Sequence, residues 1–233
     1  MKIDPSLRRE ALRTAVGVLE TARDPEHTLT HALPMLDLLT NSPLGERGRE
    51  QLLANDALRA LAEERYWGPW PSAEELGRMP VGSLGRLHQE RFERLGLHAV
   101  PPPDSSRMDG PGAYLQLRLR ATHDLHHVVL AIPSDVAGEA SGSAYYASAL
   151  RQPGSIAVLT AWMVHGYLAP EEDSRIWDGI RFGLEVARRL GPRLLAMRWE
   201  EGWTTPIATW RERLGLDALL QATPFPEELA LMG

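Results

Sequence analysis

Hydrophobic positions recur along this chain at helical spacing almost from end to end. Leu7, Ala11, Leu12, Ala15, Val16 and Leu19 mark a first amphipathic helix. A second is expected over 28–40, with Pro34 kinking it or delaying its start, and Asn41-Ser42-Pro43 closing it. Residues 44–66 read as a third, with Leu52, Leu53, Leu58 and Leu61 facing inward. The Gly-, Pro- and Trp-rich stretch 66–85 predicts an ordered loop pinned by Trp67 and Trp70, with one helical turn around Glu74 and Glu75. A short helix over 84–96 ends at a glycine. Residues 100–112 hold four prolines and two glycines and predict a long surface crossing inside one domain.

Further helices are expected at about 113–131, 134–150, 155–168, 170–190, 193–199 and 205–220. Period-two alternation, hairpin signals and internal repeats are missing from the sequence, so the fold class is all-α: a single helical domain over 1–233 with about eight to ten helices. A length of 233 residues suffices for one substantial core. The helix over 156–168, with Ile156, Val158, Leu159, Trp162, Met163, Val164 and Leu168, is apolar almost all round and is expected to be buried on both sides. Trp177, Ile180, Leu184 and Ala187 read as core on the same grounds.

Composition narrows the chemistry. The chain has no cysteine, which excludes disulfides, thiol nucleophiles, Fe–S clusters and thiolate zinc sites, so a metal must be held by nitrogen and oxygen. A net charge of −6 argues against nucleic acid as a partner. Only Lys2 among the 25 basic residues is a lysine, a usage that reflects a GC-rich genome rather than phosphate clamps. The first residues lack a signal-peptide core and carry Asp4, Glu10 and Glu20, and the 13 residues 156–168 are too few to span a bilayer. The expected location is cytoplasmic, with peripheral contact at the inner membrane as the nearest alternative.

Three histidines fall within 122–127, Thr-His-Asp-Leu-His-His. On a helix, His123 and His127 share a face, and Asp124 is i+3 from His127. Pro133 is expected to stop this helix, with Ser134 and Asp135 as caps for the next. Glu139 then falls at the second turn of that next helix, which could fold back and present it to the same place. His123, Asp124, His127 and Glu139 form a candidate N₂O₂ metal site, which suits Zn²⁺, Fe²⁺ or Mn²⁺ about equally. On spacing alone, a structural pair of helix histidines is the competing reading, and His126 competes with His127 as the ligand. Arg120, i−3 from His123 and i−4 from Asp124, is a candidate partner for Asp124 or for an anionic substrate group.

His-Asp-x-x-His followed by eleven residues and Glu resembles the metal motif of the coenzyme Q biosynthesis protein 4 family, a ubiquinone-biosynthesis family. The likeness extends to 79–97 (MPVGSLGRLHQERFERLGL), to YLQLRLRATHD before the motif and to 197–216 (MRWEEGWTTPIATWRERLGL), covering about 79–216; residues 1–65 fit only in being helical. The family usually has a bulky aromatic where this chain has His126, a departure that bears on pocket shape and on ligand identity. The resemblance implies zinc, and a polyprenylated hydroxybenzoate ring as substrate, losing its C1 carboxyl with or without hydroxylation there: a metal-dependent lyase. Glu139 or Asp124 would move the proton, and Arg120 would assist. It also implies quinone-biosynthesis enzymes as partners, while exposed parts of the apolar helices would mediate a homodimer or rest on a membrane surface.

Three other readings stay open. One is a non-catalytic prenyl-lipid-binding scaffold for a quinone-biosynthesis complex. Another is a helical His-Asp phosphohydrolase recruiting His27 or His31 with Asp173 or Asp178. The last is a related enzyme redirected to another aromatic acid.

Overall fold

The computed structural model describes residues 5–40, 42–96 and 110–233. Among them are fourteen α-helices and no strand; an isolated bridge pairs Ser83 with Pro206. All-α is therefore the fold class. The predicted crossing at 100–112 lies outside the described residues up to 109. The chain divides into two compact units, Met1–Leu52 with Ser134–Gly191, and Leu53–Pro133 with Pro192–Gly233.

The first unit contains α1 (Pro5–Arg23), α2 (Thr28–Thr40), α3 (Pro43–Leu53), α8 (Val136–Ala149), α9 (Pro153–Leu168) and α10 (Pro170–Leu190). Pro34 lies inside α2, which runs through it unbroken. Close packing here rests on small side chains. A Cβ built on Gly183 of α10 would stand 2.0 Å from the Ser141 carbonyl oxygen of α8, and Gly138, Ala140, Ser141, Gly142, Ser143 and Ala144 are all buried.

That preference overturns two expectations. The helix α9 is not buried on both sides: Ala157, Ala161, Trp162 and His165 face inward, while Ile156, Met163, Tyr167 and Leu168 are exposed, Tyr167 to 85%. Helices α1, α2, α8 and α10 all pack on α9, and its small residues are the ones that admit close neighbours. A Cβ on Gly166 would stand 2.9 Å from Asp173 Oδ1. On α10, Leu184 is exposed, and Ile176, Ile180, Gly183 and Ala187 form the inner face. The stripe on α1 behaves likewise, with Leu12, Val16 and Leu19 exposed and Thr21 and Ala22 buried.

The second unit contains α4 (Asp56–Glu64), α5 (Ala73–Gly77), α6 (Leu84–Leu95), α7 (Gly110–Leu130), α11 (Arg193–Ala196), α12 (Ile207–Leu214), α13 (Asp217–Gln221) and α14 (Pro226–Leu231). The single helix expected over 44–66 is two helices. Asn55 caps α4, its side chain accepting from the Ala57 and Leu58 amides at 3.1 and 3.2 Å, which makes a fresh start cheaper than continuation. The helix expected over 193–199 stops at Ala196 and is followed by a 3-10 turn, Trp199–Glu201. That over 205–220 breaks at Gly215, left-handed at φ 69°.

Helix α7 is the spine of this unit, packed by α4, α6, α11 and α12. Its Arg118 is fully buried. The guanidinium donates to Glu200 (2.7 Å), to the Leu195 carbonyl (3.1 Å) and to the Met197 carbonyl, so it ties α7 to the 195–200 segment. Arg211 of α12 donates to the Val128 and Val129 carbonyls at 3.3 and 3.1 Å, satisfying acceptors that the end of α7 leaves open.

Helix α7 ends three residues before Pro133, the expected stop. The Ile132 amide donates to the His127 carbonyl (3.1 Å) and the Ala131 amide to that of Val128 (3.3 Å), the paired bonds of a Schellman ending. Ala131 occupies the left-handed position at φ 50°, where glycine is the usual residue.

Two substitutions test this packing. Gly183→Val places branched carbon against the backbone of α8 and is expected to destabilise the protein by about 2 kcal/mol or more, read as a lowered urea midpoint; an unchanged midpoint would contradict the close crossing. Glu200→Ala strands the buried Arg118 charge and is expected to cost about 3–5 kcal/mol. A loss below about 1 kcal/mol would show that water reaches the pair.

Candidate metal centre

Each histidine of the motif is assigned a role by its surroundings. His123, on the half-exposed flank of α7, directs Nδ1–H to Asp124 Oδ1 at 3.2 Å. Burial pushes the Asp124 carboxyl up, but the His123 hydrogen bond and the attraction of that ring outweigh it and hold it well below the ordinary carboxylate range. An ionised Asp124 fixes the His123 tautomer with Nε2 as the nitrogen able to bind a cation.

His127 is buried one turn on, its ring centroid 4.7 Å from that of His123. Desolvation, then the neighbouring His123 and Arg91, hold it neutral, well below the usual histidine range. Its Nδ1 lies 3.1 and 3.2 Å from the Pro133 and Ile132 carbonyls, which the Schellman ending of α7 turns back toward the ring, and 3.0 Å from Arg91 of α6.

Beyond the turn, Asp135 caps α8 by accepting from the Gly138 amide (3.0 Å) and is itself paired with Arg175 at 2.5 Å. That start places Glu139 in the first turn of α8. Along the continuous stretch 123–139, His123, His127 and Glu139 each offer a ligand atom, and these atoms lie within 4.8 Å of one another. Among the described residues, this is the one group of three or more such side chains so placed.

Asp124 does not belong to the group. It was expected as a fourth ligand, but its carboxylate sits behind His123, where it orients the ring. Two imidazoles and one carboxylate form a donor set that suits zinc or a divalent first-row metal.

His126 is outside the group too. It is 1% exposed, packed on Trp199 with centroids 6.0 Å apart, and burial lowers it to about 3. The choice between His126 and His127 thus falls on His127: adjacent helix positions point about 100° apart, and only one of them can face His123.

Arg120 is exposed and, among the described residues, neither hydrogen-bonds nor pairs with Asp124. The arginine of α7 that does pair is Arg118, two residues earlier. The residues invoked for a phosphohydrolase do not assemble at the group either, since His27 and His31 turn to Asp24 at 2.9 and 3.3 Å. Sequence reasoning passed over Arg91, whose only signal was its place on the inner face of α6, and Glu228, which contacts it from α14.

The contrast at His126 yields a pH test. Folded His126 stays neutral down to about 3, whereas the unfolded side chain takes a proton below about 6.5. The unfolded state therefore binds more protons in that window, and stability falls as pH drops through it, by up to about 1.4 kcal/mol per pH unit. His126→Phe is expected to fold and to show a shallower loss between pH 6.5 and 5 in urea titrations. Equal slopes in the two proteins would contradict a buried neutral His126.

With this geometry in place, the chain can be compared with known proteins. The sequence profile of the family described as coenzyme Q (ubiquinone) biosynthesis protein Coq4 matches residues 39–219, reaching further toward the N-terminus than the quoted motifs did. A mitochondrial ubiquinone biosynthesis protein COQ4 homolog 1 from Culex quinquefasciatus is 25% identical over 187 residues, which cover 78% of this chain. The chain spans just under two thirds, 66%, of that protein's length. The mitochondrial COQ4 protein of Yarrowia lipolytica is 30% identical over 100 residues, 42% of this chain and 38% of its own. Among solved structures, a candidate ubiquinone biosynthesis protein from Nostoc punctiforme superposes with a TM-score of 0.75 at 22% identity, covering 88% of this chain and 97% of that one, so the two share a fold. On the breadth of the profile match, this chain belongs to the Coq4 family of ubiquinone biosynthesis proteins.

Proposed function

We propose that the chain is a metal-dependent enzyme of quinone biosynthesis acting on a polyprenylated hydroxybenzoate-type ring, replacing the C1 carboxyl group by a proton with release of CO₂; hydroxylation at that carbon would need a two-electron oxidant such as dioxygen in addition. The observation that carries this reading is the approach of His123, His127 and Glu139 to within 4.8 Å. Zinc is the preferred ion, with Fe²⁺ and Mn²⁺ compatible with the same donors. Bound there, a divalent cation supplies Lewis acidity toward a ring carboxylate or phenolate.

The remaining work belongs to side chains. His123 and His127 act as neutral ligands, and Asp124 orients His123. When the C1–carboxyl bond breaks, its electron pair stays on the ring and a proton must reach C1. In this reading Glu139 relays it from water, and Asp124 acts only through the His123 ring that it orients. With one carboxylate behind a ligand rather than on the ion, the set is open enough for substrate, a point in favour of catalysis over a purely structural ion.

A scaffold reading finds its support elsewhere. The exposed Ile156, Met163, Tyr167 and Leu168 on α9 form an apolar surface suited to a second copy, a partner quinone-biosynthesis enzyme or a membrane surface. Among the described residues, no helix is long and apolar enough to cross a membrane.

Elemental analysis of the untagged protein beside His123→Ala and Glu139→Ala, with circular dichroism on the same samples, separates these readings. About one equivalent of zinc, iron or manganese in the wild type, lost in variants that stay helical, is the expected result. Loss of helicity along with the metal would favour the scaffold. No metal, even after reconstitution with each of the three ions, would contradict the mechanism.

A further inference from the structure

We propose that Arg91, anchored by Glu228 of α14, selects the tautomer of His127 in the metal-free protein and thereby sets how tightly the centre takes its ion. The inference rests on the metal reading above but concerns a residue outside the ligand set.

Two kinds of neighbour compete for one nitrogen. Arg91 Nη2 lies 3.0 Å from His127 Nδ1. A guanidinium only donates, so in this contact Nδ1 presents a lone pair, and a neutral ring then carries its proton on Nε2. The Ile132 and Pro133 carbonyls, 3.2 and 3.1 Å from the same Nδ1, only accept, so their contacts need the proton on Nδ1. Both demands cannot be met at once.

The outcome decides whether the ring can bind metal. Nδ1 is enclosed by Arg91 and the two carbonyls, which makes Nε2 the nitrogen that can serve an ion. With the proton on Nε2 it is no ligand; with the proton on Nδ1 it is one, and the carbonyls then hold the ring as they do in many metal sites. The change is neutral overall: one proton leaves Nε2 for water and another reaches Nδ1 from water.

Arg91 is not free to step aside. It is 3% exposed, and its Nη1 donates to Glu228 Oε1 at 2.7 Å and to the Ile132 carbonyl at 3.0 Å. Arg94 pairs with the same Glu228 oxygen at 2.8 Å, so the carboxylate is itself fixed. Taking up the ion therefore means giving up a charge-assisted hydrogen bond whose donor stays in place. Glu228 also lies beyond residues 39–219, so this control draws on chain outside the family match.

The test uses the full chain labelled with [¹⁵N]histidine, read by long-range ¹H–¹⁵N correlation, with the His127 signals identified by their loss in His127→Gln. In metal-free wild type the expected pattern is protonation at Nε2. In Arg91→Met, where Glu228 keeps Arg94, it is protonation at Nδ1. Zinc titration with a competing chelator should then show binding roughly tenfold tighter, or more, in Arg91→Met. Arg91→Lys, which keeps a charge for Glu228 but lacks the fork that reaches both groups, should shift the same way and serves if the methionine variant does not fold.

Protonation of wild-type Nδ1, or one tautomer in wild type and both variants, would overturn the proposal while leaving zinc binding intact. A tautomer shift without zinc uptake by any of the proteins would instead remove the metal reading, and the affinity half of the proposal with it.

Discussion

A buried guanidinium must be answered by acceptors, and in this chain the answer to Arg118 organises the unit that carries the histidines. The side chain is fully buried on α7, and it is satisfied only if Glu200 and the Leu195 and Met197 carbonyls come to it. That requirement draws the 195–200 segment onto α7 and brings Trp199, whose indole donates to the Leu194 carbonyl at 3.0 Å, against His126. With His126 fixed on that side, His127 and His123 are turned to another. The orientation of the motif is thus set from behind, by charge burial rather than by the ligands themselves.

The second determinant is where α7 ends. A Schellman ending at Ala131 releases the chain after Leu130 and returns the Ile132 and Pro133 carbonyls to His127. A few residues later Asp135 opens α8 and sets Glu139 in its first turn. Fixed spacing between His127 and Glu139 has a physical meaning here: one turn of helix end, a short connection and one turn of helix start. An added or deleted residue would rotate Glu139 by about 100° and move it off the face it presents.

Much of this was legible in the sequence. Helical periodicity gave the helices, because regular spacing of apolar residues needs no tertiary information, and i, i+4 spacing gave the histidine pair. What could not be read was which face of an apolar helix is covered. On α9 the small residues Ala157 and Ala161 won over the larger Ile156 and Met163, since helices approach most closely over small side chains. Ion pairs between distant positions, such as Arg118 with Glu200 and Arg91 with Glu228, were equally hidden: spacing can put an arginine on an inner helix face but does not name the distant carboxylate that answers it. The contact between Asp124 and His123 was hidden for a related reason, because spacing reports that a carboxylate can reach a face but not that the neighbouring ring engages it.

The function proposed for this chain depends on His123, His127 and Glu139, and not Asp124 or His126, binding a metal ion. Anomalous diffraction at the zinc edge from crystals of the zinc-loaded full chain tests it most directly. The expected result is one strong peak within bonding distance of His123 Nε2, His127 Nε2 and a Glu139 carboxylate oxygen, with Asp124 still on His123 Nδ1. A peak coordinated by Asp124 or His126, or no ordered peak near α7, would contradict it.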